Sequence, residues 1–182
     1  MRRVLLHLLL TPAALLPCGA LAHGDDAPTD LRGTRPCLSA NSVKVTYEGA
    51  TTDRQKSVRS AVQRDTAAAL RSALKAGGVP TVTRDRCAPG EPTVTLAVSV
   101  RYLDPARYVG FGDPAYSYEL RLLVTRGASP RPAPARFVAG YADIHSEARE
   151  KRPFETALRV WTKELGGDLA QAWKKDNAPG KR

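Results

Sequence analysis

Two hydrophobic rhythms alternate along the chain. Val94, Leu96, Val98, Val100 and Tyr102 fall on one side of an extended backbone, and Thr95, Ala97, Ser99 and Arg101 fall on the other. A period of two over nine residues predicts a strand buried on one face only. Tyr116, Tyr118, Leu120, Leu122 and Val124 repeat the pattern, opposed by Ser117, Glu119, Arg121 and Thr125. The two runs fit an antiparallel pair with one solvated face. Val43 to Tyr47 is alternating and β-branched, a first strand that Gly49 ends. Val79 to Asp85 reads as a short strand, with Pro80 near its start as an edge position tolerates. Phe137 to Ile144 reads as another, with Gly140 as a bulge or close-packing point.

The second rhythm is helical. Thr52 and Gln55 have the spacing of a capping box, and Val58, Ala61, Val62, Ala69, Leu70, Ala73 and Leu74 follow at steps of three and four. Gly77-Gly78 supplies the stop. Its apolar face is mostly alanine, which suits packing on a sheet better than insertion into a membrane surface. Pro153 opens a second helix carrying Phe154, Ala157, Leu158, Trp161, Leu165, Leu169, Ala172 and Trp173. Gly166-Gly167 is expected to kink or split it. Pro130 to Pro134 reads as a stiff hairpin connection. The order predicts an α+β two-layer sandwich: a mainly antiparallel sheet of about four to five strands with two helices on one face.

The N-terminus places this domain outside the cytoplasm. Met1-Arg2-Arg3, the apolar runs Val4–Leu10 and Ala13–Leu16, and Ala20-Leu21-Ala22 have the order of a cleavable signal peptide. The apolar part falls short of the roughly 20 residues of a spanning helix, so no transmembrane span is expected after cleavage. Cys18 offers a lipid-anchor alternative, which Pro17 disfavours by removing an amide and fixing φ at the scissile bond. The organisation is then a signal peptide over 1–22, a partly flexible leader over 23–41, one domain over 42–176 and a tail over 177–182. Export leaves two cysteines, Cys37 and Cys87, and an even count outside the cytosol points to a disulfide between them. The product is expected to be periplasmic or secreted.

The charge is +10, and loss of Arg2 and Arg3 with the leader brings it to +8. A basic exported domain suits a protein partner or an anionic envelope component, a lipid headgroup or polysaccharide. Nucleic acid is not expected, because the strand tyrosines share the phase of the core leucines and valines instead of forming a stacking platform. The turn-rich connection from Asp104 to Ala115 carries Tyr108 and Phe111 beside Arg101 and Arg107, and these four are the candidate binding residues. Its Gly110-Phe111-Gly112 lacks the GxGxxG run and opens no helix, so it is no nucleotide motif.

Chemistry is harder to assemble. Asp143, His145 and Glu147 are two apart, and an extended strand turns all three to one side. Successive ligands then stand almost 7 Å apart, too wide for one tetrahedral ion, so no metal site is assigned. His145 is the one histidine well inside the mature domain, and no GxSxG elbow is present. No catalytic residue and no cofactor are assigned. The reading is an exported, non-catalytic cell-envelope accessory or binding protein. A small exported hydrolase using carboxylate pairs or His145, and a secreted enzyme-inhibitor-like protein, are the alternatives.

Val43 to Tyr47, the helix from Asp53 to Ala76, and Gly77-Gly78-Val79-Pro80-Thr81-Val82 form a strand, a helix, a small turn and a valine-rich strand. This order resembles bacterial envelope accessory domains: the anticodon-binding-like domains of curli-secretion and penicillin-binding-protein-activator lipoproteins, and the lipopolysaccharide-assembly lipoprotein. The resemblance runs from Val43 to about Trp173 and implies a lipid-anchored accessory protein without enzymatic activity. The chain departs from the pattern at Pro17-Cys18, where the anchor would be.

Overall fold

The computed structural model describes residues 30–49, 52–107, 115–126 and 135–179. The signal peptide, Tyr108, Phe111 and the Pro130–Pro134 connection lie outside the described residues. Elements run β1 (Cys37–Leu38), β2 (Val43–Glu48), α1 (Asp53–Ala76), β3 (Val82–Thr83), β4 (Pro92–Leu103), β5 (Ala115–Arg126), β6 (Phe137–Ser146), α2 (Glu147–Glu150) and α3 (Phe154–Asp176).

The architecture is α+β, but the sheet differs from the expected one in two ways. It has six strands, and it is mixed: β4, β5 and β6 are antiparallel neighbours, while β1 and β2 both pair with β4 in parallel and β3 pairs in parallel with β1. A parallel pair needs a long crossover, and α1, 24 residues between β2 and β4, provides it. The strand expected over Val79–Asp85 shortens to Val82–Thr83. A third helix, α2, is a single turn after β6.

The alternation does what its phase predicts. Val94, Leu96, Val98 and Val100 of β4 and Tyr116, Tyr118, Leu120, Leu122 and Val124 of β5 are buried. They pack with Leu70 and Leu74 of α1 and Phe154, Leu158 and Leu169 of α3 in one core. The capping box is present, with Thr52 Oγ1 accepting from Gln55 N–H and Gln55 Oε1 accepting from Thr52 N–H at 2.9 Å. At the other end Gly78 takes φ +74°, and Val79 N–H reaches back to Leu74 O while Gly78 N–H reaches Lys75 O. These are the two bonds of a Schellman stop, with Val79 buried as its hydrophobic contact.

The expected break at Gly166-Gly167 is absent, and α3 is continuous from Phe154 to Asp176. The first of these glycines is a contact point. A Cβ on Gly166 would stand 2.7 Å from Ala73 Cβ, and one on Gly77 would collide with Ala170 Cβ. Small residues therefore let α1 and α3 approach closely. Gly140 is likewise neither bulge nor tight contact, since β5 and β6 keep unbroken register through Arg121↔Gly140 and a Cβ there would meet Leu120 O at an ordinary 3.5 Å.

The N-terminal end of the described chain is tied to the end of α3. Leu31 N–H donates to Asp176 Oδ2 at 2.9 Å, Gly33 N–H donates to Asn177 Oδ1 at 2.8 Å, and Trp173 Nε1–H donates to Thr34 O at 3.0 Å. The disulfide Cys37–Cys87 is formed and fastens β1 to the turn before β4.

Candidate functional site

The alternation that buries one face of the sheet leaves the other without a helix over it among the described residues. Register arranges this second face in rows. Lys44, Ala97, Arg121 and Gly140 form one row, and Thr46, Ser99, Glu119 and Ala142 form the next. Glu48, Arg101, Ser117 and Ile144 make a third, and Thr95, Leu123 and Val138 lie on the far side of the first. A depression of about 400 Å³ is lined by Glu48, Ser99, Arg101, Ser117, Glu119, Ala142 and Ile144, with parts of Tyr118 and Asp143. A second, of about 420 Å³, lies round the edge and is lined by Asp143, Ile144, Ser146, Arg149 and Glu150. Ile144 separates them. At 46% exposure it is the one large hydrophobic side chain left open among the described residues.

The charges on this face are of two kinds. Glu48 accepts from Arg101 Nη2 at 2.8 Å and from the Ser99 hydroxyl. The Ser99 hydrogen bond and then the Arg101 guanidinium hold its carboxyl below the usual range. Glu119 and Arg121, both exposed, form no ion pair with any described residue. Their cross-strand neighbours, Ser99 and Ala142 for Glu119, Ala97 and Gly140 for Arg121, are all small. The two charges therefore stand as a ridge along β5.

Of the four residues expected to bind, Arg101 lies on this face and Arg107 lies in the turn after β4, 4.0 Å from Asp104. The two engage different carboxylates, Glu48 and Asp104. Ile144, Glu119 and Arg121 were not among the expected binding residues. The opposing positions of β5 identify Glu119 and Arg121 as solvent-facing, and Ile144 is the β-branched apolar residue that falls out of phase at the end of β6.

Asp143, His145 and Glu147 do not converge on a common site. Asp143 accepts from Tyr141 Oη at 3.0 Å and from Ile144 N–H at 2.7 Å. Glu147, already in α2, accepts from Arg54 at 2.8 Å and from Phe154 N–H at 2.9 Å, which caps α3 in place of a side chain from Pro153. His145 is fully buried, donating from Nε2 to Arg152 O at 2.8 Å. Its Nδ1 lies 2.9 Å from Glu150 Oε1. Burial opposes the charge on Glu150, but hydrogen bonds from Arg152 and the neighbouring His145 outweigh it and hold the carboxyl below its usual range. The histidine thus has an acidic neighbour, yet its ring is sealed in a clamp between β6, α2 and the residues before α3.

Beside it runs an aromatic stack on the helix side. Tyr141 lies against Trp161 with ring centres 3.6 Å apart, and Trp161 Nε1–H donates to Tyr118 Oη at 2.9 Å. Burial first, then the Asp143 carboxylate, raises the Tyr141 phenol above its ordinary range. Tyr118 is buried in the core, and Tyr141 and Trp161 pack half-buried against it, on the side their phase predicted.

One set of metal-type donors lies within 4.8 Å of one another among the described residues: Cys37, Cys87 and Glu91. The two sulfurs are bonded to each other, which takes them out of the ligand inventory while the bridge stands. No described helix is long and apolar enough to cross a membrane.

No family model and no curated protein matches the chain. Among solved structures it is similar to a PelC dodecamer from Paraburkholderia phytofirmans, at 12% identity and TM-score 0.38, over 75% of this chain and 92% of that one. It is also similar to the rare lipoprotein B of Shewanella oneidensis, at 13% identity and TM-score 0.29, over 73% and 90% of the two chains. A minor lipoprotein from Acinetobacter baumannii gives 13% identity and TM-score 0.31, over 76% and 90%. Likeness at this level assigns no function.

Proposed function

We propose that the chain is an exported, non-catalytic accessory protein of the bacterial cell envelope that binds another protein through the uncovered sheet face. One observation carries the reading. Ile144 stands exposed between two depressions, and the other side chains that line them are small, polar or charged. A lone apolar anchor in a polar surround is how a modest protein interface is built, with an apolar centre and a hydrated rim. The signal-like N-terminus supports export, and the bridge between Cys37 and Cys87 suits an oxidising compartment. The sealed ring of His145 favours this over a hydrolase, since a general base must reach its substrate's proton.

The test is a photo-crosslinking residue in place of Ile144 in the exporting cell, with one in place of exposed Arg71 on α1 as control. A protein adduct specific to position 144 is expected, on a chain whose N-terminus is His23 and whose two cysteines are oxidised. Equal labelling from both positions, or none from 144, removes the sheet face as the binding surface.

A further inference from the structure

We infer that the protein which docks on the uncovered sheet face is a second copy of this chain, packed face to face and antiparallel across a two-fold axis. This rests on the reading above and names its partner.

The argument is one of charge register. Glu119 and Arg121 are two residues apart on β5, so they stand in adjacent rows, about 7 Å from each other. Neither is paired within its own chain among the described residues, and small neighbours leave both accessible. Two sheets facing each other stack about 10 Å apart, within reach of a glutamate and an arginine extended toward one another. A two-fold axis running along β5 would set Glu119 against Glu119 of the other copy, a repulsive arrangement. An axis perpendicular to them, passing between the two rows, sets Glu119 against Arg121 and repeats the pair by symmetry.

The same operation decides the rest of the face without further choice. It exchanges the Lys44–Gly140 row with the Thr46–Ala142 row, so small residues meet small residues where the backbones run closest. It also exchanges the row ending at Ile144 with the row that holds Leu123 and Val138. Ile144 then lies over Val138 and beside Leu123 of the other copy, both half-buried in the single chain. The exposed apolar side chain is covered by the axis that the charges select. Four strands about 4.8 Å apart and some nine residues long offer roughly 600 Å² per copy, about 1,200 Å² in all, the lower end for a specific interface. The association is therefore reversible and sensitive to salt.

Sedimentation equilibrium on the mature, oxidised chain tests it, through charge reversals that touch no core residue. Glu119→Arg alone and Arg121→Glu alone should each weaken dimerisation about ten-fold or more by facing like charges. The double reversal should return the dissociation constant to within about three-fold of the parent's. Mixing the two single variants gives the sharpest readout. Each is monomeric by itself, but a Glu119→Arg chain facing an Arg121→Glu chain restores both pairs, so the mixture should dimerise. Unchanged melting temperatures exclude misfolding. A chain monomeric to about 1 mM, or single variants that associate as the parent does, overturns the second copy as partner. In that event an adduct from position 144 to a different protein would leave the binding-face reading standing, whereas absence of any adduct would remove that reading too.

Discussion

Gly166 and Gly167 are adjacent in one helix and should respond to the same substitution with opposite sign. Alanine in place of glycine inside a helix gains about 1 kcal/mol from backbone entropy and propensity. At Gly167 a new Cβ meets nothing within 4 Å, so that gain is realised in full. At Gly166 the new Cβ stands 2.7 Å from Ala73 Cβ, whereas carbon atoms rest about 3.5–4.0 Å apart. Neither methyl can swing away, because each is fixed to a helix backbone. The helices α1 and α3 must separate by about 1 Å, and overpacking of this kind costs about 1–3 kcal/mol. Net of the propensity gain, Gly166→Ala should destabilise by about 1 kcal/mol while Gly167→Ala stabilises by about 1 kcal/mol.

Urea unfolding of the oxidised chain reads this difference as a shift in midpoint at constant slope. Thermal melting should separate the variants by about 4–8 °C for a domain of this size. Ala73→Gly in the Gly166→Ala background removes the opposing methyl. The double variant should be more stable than the sum of its parts by about 1 kcal/mol or more. If Gly166→Ala melts with or above Gly167→Ala, the close approach of α1 and α3 is wrong.

The other consequences are simpler. Replacing Cys37 and Cys87 by serine opens a loop closed over a separation of 50 residues and should cost about 4 kcal/mol in the chain-entropy account, measured by urea unfolding against the oxidised parent. Gln63 donates its amide to Val43 O and accepts from Val45 N–H at 2.9 Å, acting as a strand neighbour to β2. Gln63→Leu should cost about 1–2 kcal/mol and raise the rate of aggregation seen by light scattering. Glu150 has its carboxyl depressed in the folded state, so its contribution is complete above the unfolded value of 4.5 and is lost as the pH falls through the folded one. Glu150→Gln should therefore be less stable than the parent at pH 7, with the difference lost once the pH has fallen below the folded value. A gap that persists at low pH would show that Glu150 acts by packing instead of charge.

The phase of each long element was legible because it is a local property. Burial of one side of β4 and β5 requires alternation, and burial of one side of α1 requires a helical repeat, whatever the rest of the chain does. Strand direction is different, since a strand buried on one face reads the same in either direction. The informative signal was the length of α1 between β2 and β4, which a hairpin does not need and a parallel crossover does. Gly166 misled because glycine has two readings, a weak point in a helix and a point of contact, and only the position of Ala73 distinguishes them. The clamp on His145 was similarly hidden. Its partners, Glu150 and Arg152, follow in a turn after the strand, where the period-two argument that grouped Asp143, His145 and Glu147 no longer applies.

The sheet's edges bear on how its open face can be used. An exposed strand edge invites another strand, and proteins guard against this with side chains that occupy the backbone groups. On the β2 side the guard is Gln63. On the β6 side Asp143 accepts the N–H of Ile144, which points away from β5, and places a charge beside the edge. By alternation, Val138, Gly140 and Ala142 turn their backbone groups outward as Ile144 does, but the two devices reduce what a new strand could gain at either margin. Lateral growth of the sheet is thus opposed along β2 and β6, while the broad face between them carries an exposed isoleucine and the charges of Glu119 and Arg121, which form no ion pair with any described residue. Edges that discourage pairing and a face that matches itself select the same mode of association, stacking over extension, and a reversible pair over an open-ended array.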